Sequence, residues 1–370
     1  MFQLLSKHSF YLVRTYSDRV FLGFESPEGE LHLYPYSLDG ELGEELKFSK
    51  KGPISWIYLR SGLWLIQYEG ASKEDTHIYS IEGEWQQTIP QIHADLYILK
   101  TEKDWAYLIN NRFVKYNLST YEYRDLGQFL LKKPFLYKGC HRGLHFFICE
   151  RQSQLVAMRD KDGQGLEEVY RLDFAESGRG YSLWHNGVVP GEIDFINFYG
   201  SDLWVTTQEH LHRIDVATGS LLERREDFIL SKMSHCGDLG YSILASFYKI
   251  FDFKAGQMLY RGRLDKFTYE GKEYSVQTNG LLLHEGIFYV SVRVSGIFFL
   301  AAFDIQTEEF VWHDLWGGWD IDSVHIVGDR MIAHSYDEVR IYQRVGRLTR
   351  LAKKLRGALL HLISPLTSGR

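Results

Sequence analysis

The chain has 370 residues and a net charge of −6, with 45% hydrophobic residues, 24% charged residues and only 7 prolines, which predicts a packed core and excludes disorder. Six basic and no acidic residues follow Val345, leaving −12 on the 344 residues before it, an acidic body that excludes nucleic acid as the default partner. Cys140, Cys149 and Cys236 are odd in number and lack metal-type spacing, so they read as reduced thiols, not a disulfide framework.

The opening "MFQLLSKHSFYLVRTYSDR" shows no basic segment followed by a sustained apolar run, and the longest apolar runs, such as "GIFFLAAF", are too short to span a bilayer. A cytoplasmic location is expected. Further along, one phrase returns eight times. Its copies are Tyr36 to Leu46, Tyr79 to Ile89, Lys115 to Leu126, Ala157 to Leu172, Arg213 to Arg225, Ile250 to Leu264, Ala302 to Leu315 and Ile341 to Leu351. The clearest reads "RIDVATGSLL": a strand ending at Asp215, a turn through Ala217-Thr218-Gly219, and a strand starting at Ser220. Aligned with Asp215 are Ser37, Ser80, Asn117, Met158, Asp252, Asp304 and Tyr342, at gaps of 37 to 57 residues.

The chemistry explains the recurrence. A short polar residue closes one strand and accepts from the turn backbone, and glycine (Gly219, Gly256, Gly346) takes the positive φ at the turn's end. Tyr121 and Glu308 stand at that place in two copies, where looser turns are expected. Two further short apolar runs precede each hairpin, as in "IDFINFY" and "DLWVTT". Four strands per unit and a period near 44 predict an all-β fold. The expected architecture is a β-propeller of about eight four-stranded antiparallel blades, or seven if one copy is decorative. Residues 1–346 are expected to form one propeller domain, with residues 2–6 supplying the last strand of the final blade and so closing the ring. The Asp-x-x-Thr-Gly hairpin resembles that of propellers related to the pyrroloquinoline-quinone enzymes and to WD-type repeats, a likeness of fold.

Function is sought in the long loops that interrupt the repeat. "DFAESGRGYSLWHNGVVPGE" carries Arg179, Tyr181, Trp184 and His185; "DKFTYEGKEY" carries Tyr269; "WGGWDID" carries Trp316, Trp319, Asp320 and Asp322. Their aromatic and arginine content matches interface hot spots, and these nine residues are the candidate partner-binding set. Glu209, His210 and His212, and separately His141 and His145, make incomplete ligand sets, so neither a metal nor another cofactor is expected. No Gly-x-Ser-x-Gly elbow, phosphate loop or Cys-His signature is present.

Residues 347–370 break the β pattern. Leu348, Leu351, Leu355, Leu359 and Leu362 form the stripe of a short, basic, amphipathic C-terminal helix, expected to pack on the propeller in preference to a membrane surface. The reading favoured is a non-catalytic interaction propeller that binds another protein, with a basic partner suiting its charge. One version is a bacterial immunity or inhibitor protein capping a toxin. The alternative is an enzyme or carbohydrate binder at the central channel, with Asp320 and Asp322 as its carboxylates.

Overall fold

The structure, a computed structural model, describes residues 2–344 except 11, 29, 38–39, 51, 61, 70–74, 90–98, 101–104, 110–111, 118–119, 121, 129–134, 150–152, 162–164, 176–180, 183–186, 189–190, 208–209, 226–233, 245 and 265. The expected C-terminal helix lies outside the described residues. Among the described residues every regular element is a strand.

The recurrent hairpins are built as turn chemistry requires. Asp215 ends the strand Leu211–Asp215, and its Oδ1 accepts from the Thr218 backbone N–H at 2.9 Å and the Thr218 hydroxyl at 2.8 Å. Gly219 follows at φ +71°, its N–H donating to the Asp215 carbonyl at 2.9 Å. A Cβ there would lie 2.7 Å from the ring of Tyr170, whose hydroxyl donates to the Val216 carbonyl at 2.8 Å. The turn is therefore both left-handed and roofed by a neighbouring strand, and only glycine fits. Ser37, Ser80, Asn117, Asp252 and Asp304 likewise accept a backbone N–H from their turns. Glu308 takes φ +55° where glycine stands elsewhere.

Two copies are placed differently from the alignment. Met158 lies inside the strand Gln154–Asp160, and the turn closes at Lys161, whose N–H donates to the Gly165 carbonyl at 2.9 Å. Tyr342 lies in Val339–Arg344, which pairs not with a following strand but with Phe2–His8, with Tyr342 opposite Leu4. The first strand in sequence thus takes the fourth place in the last sheet and covers an edge that would otherwise expose its backbone.

The fold class is a β-propeller; among the described residues seven of its sheets are four-stranded and antiparallel. In chain order they start at Ile54, Leu99, Phe135, Ile193, Ser234, Gln277 and Ile321. The first of the eight repeat units, Leu12–Tyr16, Arg19–Glu25 and Leu31–Tyr36, is three-stranded among the described residues. Burial sorts the strands within a blade. Leu63–Tyr68 and Asp202–Thr207, both second strands, are buried at every residue, whereas the fourth strand Glu309–Gly317 alternates. Bulges recur as well: the register skips Ser55, Lys138, Asp194, Leu281 and Asp322 in five first strands. Such a bulge re-aims the side chain it carries.

The blades fall into two compact units. One comprises Met1–Phe24, Leu33–Glu44 and the chain from Lys266 onward. Its core gathers Leu300, Met331, Ala333 and Tyr342, with a second cluster around Leu22, Ile332 and Ile341. The other unit, Glu25–His32 with Glu45–Asp265, packs Phe146, Leu155, Leu203 and Val205 together, and separately Trp204, Leu211, Phe251 and Phe253.

Candidate protein-interaction surface

The loop between Glu309–Gly317 and Ile321–Val327 holds Trp319 and Asp320, and the flanking strand ends add Trp316 and Asp322, four of the nine candidate residues. Trp316 is 6% exposed, and the Arg340 guanidinium lies 4.4 Å from the centroid of its ring. Arg340 also donates to the Leu315 and Trp316 carbonyls at 2.5 and 2.7 Å, to Asp314 at 2.9 Å and to Glu338, which in turn pairs with Lys7 of the first strand. Asp314 accepts from the Tyr342 hydroxyl at 2.8 Å as well. This network ties the last two blades and the N-terminal strand into one frame.

Beyond the frame the loop opens to water. Asp320 caps the next strand, its Oδ1 accepting from the Ile321 N–H at 2.8 Å and from the Ser291 hydroxyl at 2.5 Å. Trp319, just before it, is 57% exposed, and its ring centroid lies 5.7 Å from that of Tyr336, itself 72% exposed. Tyr336 sits in the tight turn between Arg330–Ser335 and Val339–Arg344. Because Ile321 pairs with Ser335, this turn and the Trp319 loop share one end of the blade. Asp322, at a bulge, and Asp337 are both exposed, and neither makes an ion pair with a described residue. Asp337 accepts from the Ser335 hydroxyl at 3.1 Å. Two open aromatic rings flanked by unpaired carboxylates can hold a lysine or arginine side chain by cation–π contact and charge.

The other candidates are distributed elsewhere. Tyr269 lies in the hairpin Lys266–Tyr269 and Lys272–Ser275, which folds over its own blade. Its ring is 4.8 Å from Phe299 and 5.8 Å from His313. Tyr181 begins the two-residue strand Tyr181–Ser182, paired with Gly187–Val188. Arg179, Trp184 and His185 lie outside the described residues. Tyr336 lies outside the nine candidates; its signal in the sequence is an aromatic residue in the short polar turn "SYDE", where nothing in a turn requires one.

The histidines bear on the metal question. Arg224 donates to His210 Nε2 at 2.9 Å, and His212 packs against Phe174 at 4.8 Å. Burial, with His210 and Arg224 adding to it, pushes His212 down to about 4. His145 is likewise pushed down to about 4 by burial and lies 2.9 Å from the Tyr137 hydroxyl. Among the described residues no three His, Cys, Asp or Glu side chains are grouped to hold a metal ion.

No family model matches the chain, and a search of curated proteins finds no match. Solved structures do match in fold. The C-terminal WD40 domain of Sif2 is 9% identical with a TM-score of 0.60, over 94% of this chain and 99% of that one. BamB from Moraxella catarrhalis is 12% identical with a TM-score of 0.53, over 93% and 98% of the two chains. The computationally designed Ika8 protein is 11% identical with a TM-score of 0.57, over 92% and 98%. At such identities the likeness is one of fold: the chain is similar to WD40 domains and to BamB, a propeller of the pyrroloquinoline-quinone-like kind.

Proposed function

We propose that this chain is a non-catalytic interaction propeller that binds a basic partner protein through the surface centred on Trp319 and Tyr336. One observation carries the reading: two large aromatic side chains, 57% and 72% exposed, lie against each other at one blade end with exposed Asp322 and Asp337 beside them. Exposed aromatics of this size contribute most when a partner covers them, which is why tryptophan and tyrosine dominate interface hot spots. The acidic body favours encounter with a cationic partner through steering. A cationic toxin held by this chain as its inhibitor is one form the complex would take, in a reducing, cytoplasmic setting. The test is binding of the full chain to a peptide array graded in Lys and Arg content, before and after Trp319→Ala with Tyr336→Ala. Signal that rises with basic content and falls in the double variant supports the reading; signal indifferent to both ends it.

A further inference from the structure

A cleft of about 240 Å³ opens in the larger unit, between the Glu30–His32 segment and the loop that leads into Ile54–Arg60. Its wall carries both signs of charge. Glu45 is held by His32 Nδ1 at 2.8 Å, whereas Glu30 and Lys47 make no ion pair among the described residues. Lys50 is fixed from two sides: its Nζ lies 2.9 Å from His77 Nε2 and 5.1 Å from the centroid of the Tyr68 ring. His77 must be neutral to accept there. Burial and the Lys50 charge hold it below the ordinary imidazole range, and its Nδ1 lies 2.8 Å from the Thr88 hydroxyl, which leaves Nε2 as the acceptor. Lys50 spends one N–H on His77 and keeps two for a ligand. Leu31, Phe48 and Tyr68 supply the apolar part of the wall.

We propose that this cleft binds a small zwitterion with an apolar side chain, of the α-amino-acid class. Its carboxylate meets Lys50 and Lys47, its ammonium meets Glu30 and Glu45, and its side chain lies against Leu31 and Phe48. A pre-oriented ammonium in a half-enclosed site favours a carboxylate more than a solvated surface lysine does, because the lysine's ordering is already supplied by His77 and Tyr68. A carboxylate alone leaves Glu30 unanswered and an amine alone leaves Lys50 unanswered, so the zwitterion is selected over either half. The site stands on observations separate from the Trp319 surface and does not depend on a protein partner.

Calorimetric titration of the full chain with L-leucine, N-acetyl-L-leucine and L-leucinamide tests it. L-leucine is expected to bind with a Kd below 1 mM, roughly −4 kcal/mol, and each blocked analogue at least tenfold more weakly. Lys50→Met is expected to weaken L-leucine at least tenfold. If Lys50→Met unfolds the chain, Glu30→Gln, at an exposed position, is the second probe and should weaken L-leucine without relaxing the demand for a carboxylate. No heat with 10 mM L-leucine, or equal binding of either blocked analogue, would overturn the proposal.

Discussion

Trp316 and Trp319 stand three residues apart and meet opposite fates. Trp316 is buried under the Arg340 guanidinium, inside a network that reaches Asp314, Glu338 and Lys7. Trp319 faces water with Tyr336 as its neighbour and carboxylates near it, an aromatic and acidic set with no cation supplied by the described residues. The inner tryptophan shows what such a set does when its cation is present: the guanidinium covers the ring and accounts for the charge. The outer set has the same ingredients, and the proposed partner would supply its cation. One site is structural and the other is available, although "WGGW" gives both residues similar sequence surroundings.

Substitutions should separate the two sharply. Trp316→Ala removes a fully packed indole and should destabilise the fold by about 3–5 kcal/mol, read as a shift of the denaturant midpoint. Arg340→Ala should cost a similar ~3–5 kcal/mol, since it leaves Glu338 and Asp314 without their buried partner. Equal stability of either variant and the wild type would break the contrast at its structural end.

Acid offers a second handle, because arginine keeps its charge where histidine does not. His145 and His212 are each pushed down to about 4, chiefly by burial. Folded-state values below the ordinary 6.5 mean that the unfolded chain takes up protons first. Their contribution is therefore intact above pH 6.5 and is lost as pH falls toward 4, by at most roughly 3 kcal/mol per residue. Asp194 works in the opposite sense. Burial, with Glu192 adding to it, pushes its carboxyl up to about 6, so the stability it contributes is present below the ordinary carboxylate range and lost as pH rises through 6. Asp194→Asn should consequently stabilise the chain at pH 7 more than at pH 4. Midpoints that move together at both values would contradict the assignment.

On the open side, Trp319→Ala and Tyr336→Ala should each change stability by less than about 0.5 kcal/mol, as exposed positions do. Each should weaken partner binding by about 2 kcal/mol, roughly thirtyfold. Asp322→Asn with Asp337→Asn is expected to act least, lowering the association rate several-fold at low salt and hardly at all at high salt. A large effect on dissociation from these two carboxylates would place them at the centre of the interface and not at its rim.

The hairpin phrase was legible because its chemistry is local. Asp215 and Gly219 satisfy the turn within five residues, and Ser37, Ser80, Asn117, Asp252 and Asp304 repeat the device. The fourth unit misled because "RDKDGQG" offers several polar residues that could close the strand, and the ladder settles on Lys161. Tyr342 misled for a different reason. Its outer partner is Phe2–His8, more than 330 residues away, a pairing that follows from ring closure and not from any pattern local to the phrase. The same limit hid the proposed surface. Nothing near Trp316 in sequence foretells Arg340 above it, and nothing near Trp319 foretells Tyr336 beside it, since both partners arrive through strand pairing of the last blade.

Aromatic contact separates this surface from a merely acidic one, whose charge alone also attracts a basic peptide. The direct measurement is fluorescence anisotropy of a labelled Lys- and Arg-rich decapeptide drawn from the array, titrated with the full chain and with the Trp319→Ala, Tyr336→Ala double variant at equal salt. Both proteins carry the same charge, so steering is common to them. An affinity at least thirtyfold lower is expected for the double variant, with an unchanged unfolding midpoint. Equal affinity of the two proteins would contradict it.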